Sequence, residues 1–462
     1  MSNTNSAATS NANSGAASNA NAAAPPAGSQ IAIRSESQWA VTLPVLDAFL
    51  ADETFFGEVK AKLQLTDQQM SKLKAVSHEA TAQLREGGRE NKETFSSAAD
   101  HRARAEKEIG DVIGPEKVSQ LFVFVADRWS HGEATAESTS PASPLSSAPV
   151  GVPADSRIVV NDPAFRMDIF ENGRLIKSYK IGIGYPEFPL PTGLRKASTI
   201  IFNPTWTPPD EPWVESPSSK VEVGKLVKAG DKLNPLGLLK IPIGLPSLIH
   251  GGKSPAKIGN FASHGCVGLT DAQAKDFAKL LGQLGGVELT DDQIADYGAN
   301  RKETKTVKLN NPVPVELRYE TITVEDGKLH IYRDVYDRDT NTEQNLRAVL
   351  EAYGVTLEQL SKKELALVMN GLKQMSRDAS GKLNVADKAT TNSNASPGPS
   401  SKKASETKDN PRGNVTRTIK GQKEVVVEIA ALQGKGYPAP VDLDTGSTVK
   451  PKKPSSGPRR RK

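Results

Sequence analysis

Cysteine is all but missing from this chain: Cys266 is the single thiol among 462 residues. An internal disulfide is thereby excluded, and the one sulfur is left either as a small buried hydrophobe or as a reagent. Aromatic residues are scarce as well, at 5%, and the formal net charge is only +5. Nucleic-acid binding needs a basic face and, for single strands, stacking rings, so both shortages argue against it. No stretch approaches the roughly eighteen consecutive apolar residues of a membrane-spanning helix, so no transmembrane segment is expected. Hydrophobic residues total 37% while Gly and Pro number 37 and 31, a balance that keeps sizeable segments out of any core. The length exceeds what one core usually holds, which predicts two or more folded units joined by linkers.

What is present divides along the chain. Residues 1–35 are Ser/Asn/Ala-rich, without the basic and apolar regions of a secretory signal, and read as a disordered tether. Residues 36–131 carry helical spacing: Thr66-Asp67-Gln68-Gln69 is a capping box ahead of Met70, Leu73, Val76 and Leu84. Gly114-Pro115 opens a second run with Val118, Leu121, Phe122, Val125 and Trp129. The phrase "LQLTDQQMSKLKAV" resembles periplasmic helical-hairpin proteins of the Spy type. His78 and His101 stand among charged, exposed-looking positions and are not expected to be ligands. A Pro/Ser/Ala linker follows at 132–155. Over 156–340 the texture is β, with Asn172-Gly173 and Asp326-Gly327 as hairpin turns. One helix interrupts it, after the capping box Thr270-Asp271-Ala272-Gln273. Residues 341–378 read as a short helical appendage. Residues 379–462 read as a mostly disordered basic tail, interrupted by the strand-like "KEVVVEIAAL" and open to contact with anionic envelope polymers. The fold class expected is multi-domain, a β-rich unit preceded by a small α-helical one and flanked by low-complexity segments.

The chemistry concentrates in "SLIHGGKSPAKIGNFASHGCVGL", residues 247–269. A thiolate attacks carbonyl carbon well but a free thiol is mostly protonated at neutral pH, so an imidazole is wanted as proton acceptor. Two are candidates. In an extended strand His264 would share a face with Cys266, whereas His250 would be looped back by the Gly/Lys-rich intervening segment. Gly265 allows close backbone approach, and the amides of Gly265 and Cys266 are a candidate oxyanion hole. The helix near Thr270 would add positive potential beside the sulfur. Zinc would have Cys266, His264 and His250 but no fourth Cys or His at short spacing, so no metal is expected.

"SHGCVGL" with the upstream "IHG" closely resembles the signature of L,D-transpeptidases with the YkuD fold. "PLPTG" at 189–193, "NPTWTPP" at 203–209 and "NPLG" at 234–237 match in the same order, so the resemblance covers roughly residues 156–335. It implies Cys266 as nucleophile and His250 as general base, with the Gly251 carbonyl orienting the imidazole and His264 and Ser263 shaping the pocket. Trp206 is a candidate substrate contact. One departure is Gly268, where the family usually has Arg or Asn, which leaves a substrate-carboxylate role open to Lys253, Lys257 or Arg195. The implied reaction is peptidoglycan L,D-transpeptidation without a cofactor: a stem tetrapeptide acylates Cys266 and an amine acceptor resolves the thioester. The work implied is wall biogenesis and cell shape, in the periplasm or envelope of a bacterium.

The enzyme rivals are an L,D-carboxypeptidase or other cysteine peptidase that resolves the thioester with water, including an NlpC/P60-like arrangement that pairs Cys266 with His330. A non-catalytic wall-binding protein is the rival from another class, and it has no need of Cys266, His250 and His264 together.

Overall fold

The computed structural model describes residues 41–83, 98–131, 151–208, 220–244, 247–377 and 419–447. The first unit is helical: α1 (Leu43–Leu50), α2 (Glu53–Lys62), α3 (Asp67–Gln83), α4 (Ala98–Ile113) and α5 (Pro115–His131). Thr66 caps α3 reciprocally, its Oγ1 accepting from the Gln69 amide at 3.2 Å while Gln69 Oε1 accepts from the Thr66 amide at 3.0 Å. Pro115 starts α5, where a missing N–H costs nothing. Met70, Leu73, Leu121 and Val125 meet Leu46, Phe49 and Phe55 in one core, each fully buried side chain contributing roughly 1.5–3 kcal/mol. His101 is not exposed: its side chain is 13% accessible and lies against Glu187. Leu84 lies outside the described residues.

The central unit is β-rich. Its strands are β1 (Arg157–Asn161), β2 (Arg166–Glu171), β3 (Arg174–Lys180), β4 (Ile183–Gly184), β5 (Gly193–Phe202), β6 (Leu239–Pro242), β7 (Leu248–His250), β8 (Phe261–Ser263), β9 (Val267–Gly268) and β10 (Lys305–Arg318). Eight form one sheet in the order β3-β2-β1-β10-β5-β6-β7-β9, and β4 pairs with β8. β10 is a single 14-residue strand, irregular in register between Lys308 and Val313. Helix α6 (Asp271–Leu284), capped by Thr270 and Gln273, brings Ala274, Phe277 and Leu281 to a core with Ile158, Val315, Ile241, Ile249 and Val267. A second helix in this unit, α7 (Asp291–Ala299), carries its own capping box at Thr290 and Gln293.

Beyond β10, β11 (Ile322–Glu325) and β12 (Lys328–Tyr332) leave that sheet. They join β13 (Glu424–Glu428) in a three-stranded one that shares a core with α8 (Glu343–Ala352) and α9 (Lys362–Met375) through Leu329, Ile331, Leu346, Val368 and Val427. The strand-like "KEVVVEIAAL" is β13. Residues 441–446 then run back beside β3, where the Lys180 amide donates to Asp444 O at 2.8 Å and Gln273 Nε2 donates to the same carbonyl at 3.0 Å. No helix among the described residues is long and apolar enough to cross a membrane.

Candidate functional site

The site is built on two short parallel strands. Ile249 pairs with Val267 and His250 with Gly268, so the strand that ends in the imidazole lies beside the strand that Cys266 leads into. Local sequence explains the approach to β9. Residues 264–266 form a bend, with Gly265 at φ +83°, a conformation that a side chain would strain. The bend overturns the extended geometry expected for His264 and Cys266, because a chain that reverses there cannot alternate faces. His264 instead packs edge-on against Tyr185 and Phe188, at centroid distances of 5.2 and 4.8 Å.

Ser263 closes the bend. Its Oγ accepts from the Cys266 amide at 3.0 Å and donates to the Cys266 carbonyl at 2.5 Å. The Cys266 amide is therefore engaged within the loop, which takes it out of the pair of amides expected to face an oxyanion. Gly265 is the other member of that pair.

His250 is 3% exposed. Its Nδ1 lies 2.7 Å from Gly251 O, and since a carbonyl only accepts, that bond is made by the tautomer with its proton on Nδ1. Burial and, second, the Lys253 charge push its pKa down to about 3, against the opposing pull of the Gly251 and Leu236 carbonyls.

Asp271, the first residue of α6, is a member of this site that the sequence reading passed over. Its Oδ1 accepts from the amides of Leu238 and Gly252, each at 2.9 Å, and so ties the start of β6 to the turn after His250. The signal was visible in the capping box, which marks Asp271 as the carboxylate at a helix start.

The motif residues divide into pins and walls. Asn203 Nδ2 donates to the carbonyls of Tyr297, Asn300 and Glu303 at 2.7, 3.1 and 3.1 Å, holding the end of α7. Asn234 Nδ2 donates to Pro204 O at 2.7 Å, joining two motifs. Trp206 pairs through its backbone with Val227; residues 209–219, between the two, lie outside the described residues. Arg195 is buried on β5, with Nη1 donating to Ile243 O and Gly244 O at 3.3 and 3.4 Å. Lys257 ends the short 3-10 turn Pro255–Lys257. His330 belongs to the other sheet and bonds Glu424 Oε1 through Nδ1 at 2.6 Å. Among the described residues no group of three His, Cys, Asp or Glu could hold a metal ion.

The wall formed by residues 184–190 is braced from behind. Tyr336 OH donates to Gly184 O at 3.0 Å and accepts from the Leu190 amide at 3.2 Å. Thr42 of the helical unit donates to Glu187 O.

Residues 155–313 match the family model of the L,D-transpeptidase catalytic domain, YkuD. No curated protein matches the chain. Among solved structures, the Ldtfm–avibactam carbamoyl enzyme is 15% identical over 36% of this chain and 49% of its own, with a TM-score of 0.22. The catalytic domain of an Enterococcus faecium L,D-transpeptidase is 18% identical over 36% of this chain and 100% of its own, with a TM-score of 0.23. An L,D-transpeptidase from Mycobacterium smegmatis is 16% identical over 36% and 59%, with a TM-score of 0.21. The chain thus spans about half the length of the first of these.

Proposed function

We propose that this chain, whose residues 155–313 match the YkuD family of L,D-transpeptidase catalytic domains, is a cysteine acyltransferase of the bacterial envelope acting on peptidoglycan stem peptides. The observation that carries the reading is the parallel pairing of β7 with β9, which sets a buried imidazole, bonded through Nδ1 to Gly251 O, beside the strand entered from the only thiol.

The Cys266 sulfur attacks the diaminopimelate carbonyl of a stem tetrapeptide while its proton passes to His250 Nε2. The tetrahedral oxyanion is met by the Gly265 amide. Collapse breaks the peptide bond, D-alanine departs with the proton from His250, and a thioester remains on Cys266. An acceptor amine then attacks the thioester, gives a proton to His250, and leaves as the new amide while the thiol is restored. With water in place of the amine the same steps make a carboxypeptidase. Ser263 holds the nucleophile's backbone, His264 shapes the pocket against Tyr185 and Phe188, and Trp206 is kept as a substrate contact. The basic segment after 379 contacts anionic envelope polymers.

Intact-mass spectrometry tests this. Incubation with a diaminopimelate tetrapeptide, or with a carbapenem as an acylating probe, yields one covalent adduct that Cys266→Ala lacks. An adduct formed equally by the Ala variant refutes the assignment.

A further inference from the structure

The wall at residues 184–190 and the cysteine bend are packed as one piece. Gly184 pairs with Ser263, and the Tyr185 amide donates to Ser263 O at 2.8 Å; the Oγ of that serine holds the Cys266 amide and carbonyl. A Cβ built on Gly184 would run into Phe188 O and lie 3.2 Å from Gly265 Cα, which leaves no room for a side chain between wall and bend. Both ends of the wall bond one atom. The Tyr336 hydroxyl donates to Gly184 O at 3.0 Å and accepts from the Leu190 amide at 3.2 Å. The phenol is itself fixed: fully buried, it stacks on Phe261 and on Tyr319, with ring centroids 6.2 and 5.6 Å away, and its amide donates to Tyr319 OH at 2.7 Å. Burial raises its pKa well above the usual phenol range, so the hydroxyl keeps the proton it donates.

We infer that Tyr336 is a positioning residue of this site: one hydroxyl fixes the span of the wall and, through it, the way the cysteine bend presents the thiol. The residue lies outside the span 155–313 that matches the family model, in the segment between β12 and α8. The inference rests on the acyltransfer reading above for its kinetic consequence, and on the contacts alone for its geometry. Tyr336 acts through the wall and not on the reacting atoms. A wall pinned at both ends by one fixed phenol holds its shape before substrate arrives, and reacting groups displaced by even 1 Å lose much of their rate. Without the hydroxyl, the buried Gly184 carbonyl and Leu190 amide lose a partner that desolvation makes costly to lose. The wall then shifts to satisfy them, and Ser263 and the bend shift with it.

The full chain tests this with two readouts. Acylation of Cys266 by the diaminopimelate tetrapeptide is followed by mass under single-turnover conditions. Alkylation of the same sulfur, the only thiol, by iodoacetamide is followed across the range in which thiols titrate. Tyr336→Phe keeps the stacked ring and loses both bonds. It lowers the limiting acylation rate by about tenfold to a hundredfold, leaves the half-saturating donor concentration unchanged, and moves the midpoint of the alkylation profile. Ile331→Val, a packing loss in the core of the three-stranded sheet, lowers the urea midpoint and leaves both readouts at wild type. A wild-type limiting rate and profile in Tyr336→Phe, or equal losses in Ile331→Val, overturn the inference while leaving acyltransfer standing. If Tyr336→Phe does not unfold cooperatively, Thr42→Val, which frees the same wall at Glu187 O, takes its place, and an unchanged rate and profile there overturn the inference. If wild type forms no thioester, the acyltransfer reading falls and the alkylation profiles alone decide whether Tyr336 sets the thiol.

Discussion

His250 and Gly268 are partners in the parallel pairing of β7 and β9, and that pairing sets the imidazole beside the strand that Cys266 leads into. His264, two residues from Cys266, is turned by the bend at Gly265 to pack on Tyr185 and Phe188. His330 is committed to Glu424 in the second sheet.

Replacing His250 by Ala removes acylation almost completely, because no other imidazole shares its strand pair. A general base contributes roughly 10²–10⁴-fold, and that is the loss expected in single-turnover rates. His264→Ala slows turnover but retains slow acylation, and His330→Ala stays near wild type. Each variant is checked for cooperative unfolding. Full acylation by His250→Ala would remove it as base, and a dead His330→Ala would favour the NlpC/P60-like arrangement.

Cys266→Ser leaves a cooperative fold with no turnover. The bend around residue 266 is held by Ser263 Oγ on the backbone amide and carbonyl, contacts that do not involve the sulfur. Wild-type rates in the serine variant would show that another group is the nucleophile.

Asp271→Ala releases the amides of Leu238 and Gly252 together. Two bonds to a charged acceptor are worth on the order of 3–6 kcal/mol, so denaturant midpoints fall, and acylation slows through kcat as the turn after His250 loosens. Asp271→Asn keeps an acceptor oxygen and recovers part of both. An unchanged kcat in Asp271→Ala would confine its role to stability.

Acid weakens the junction between the helical unit and the site's wall. His101, buried near Glu187, has its pKa lowered to about 4, mainly by desolvation. The unfolded chain takes up a proton near pH 6.5 that the folded chain refuses until about pH 4. Stability from this residue is therefore intact above pH 6.5 and declines as pH falls, by up to about 1.4 kcal/mol per unit. Urea titrations from pH 7 to 4 read this as a difference between wild type and His101→Gln, in which the carboxylates are common to both. Parallel curves for the two proteins would remove His101 as the source.

Much of this protein is legible locally. The thiol and its candidate bases follow from residue chemistry. The hairpin turn Asn172-Gly173 works because both residues adopt positive φ, at 49° and 78°. The capping boxes at Thr66 and Thr270 work because their partners lie three residues on. Thr290 carried the same signal, so α7 was within reach as well. Such features are set by neighbours in the chain, and short windows of sequence contain all the atoms involved.

The tertiary structure decided what depends on residues far apart. The irregular register opposite β5 makes one long strand of β10. β11 and β12, read as part of the unit ending at 340, share their core with β13, about a hundred residues downstream. His101, flanked by charged residues, has only 13% of its side chain accessible and lies 3.7 Å from Glu187 of another unit. Asp271 became a brace, and Lys253 came to lie over Gly268, only when β6, β7, β9 and α6 converged. Strand pairing and side-chain juxtaposition are made by long-range burial and hydrogen bonding, which no local pattern encodes.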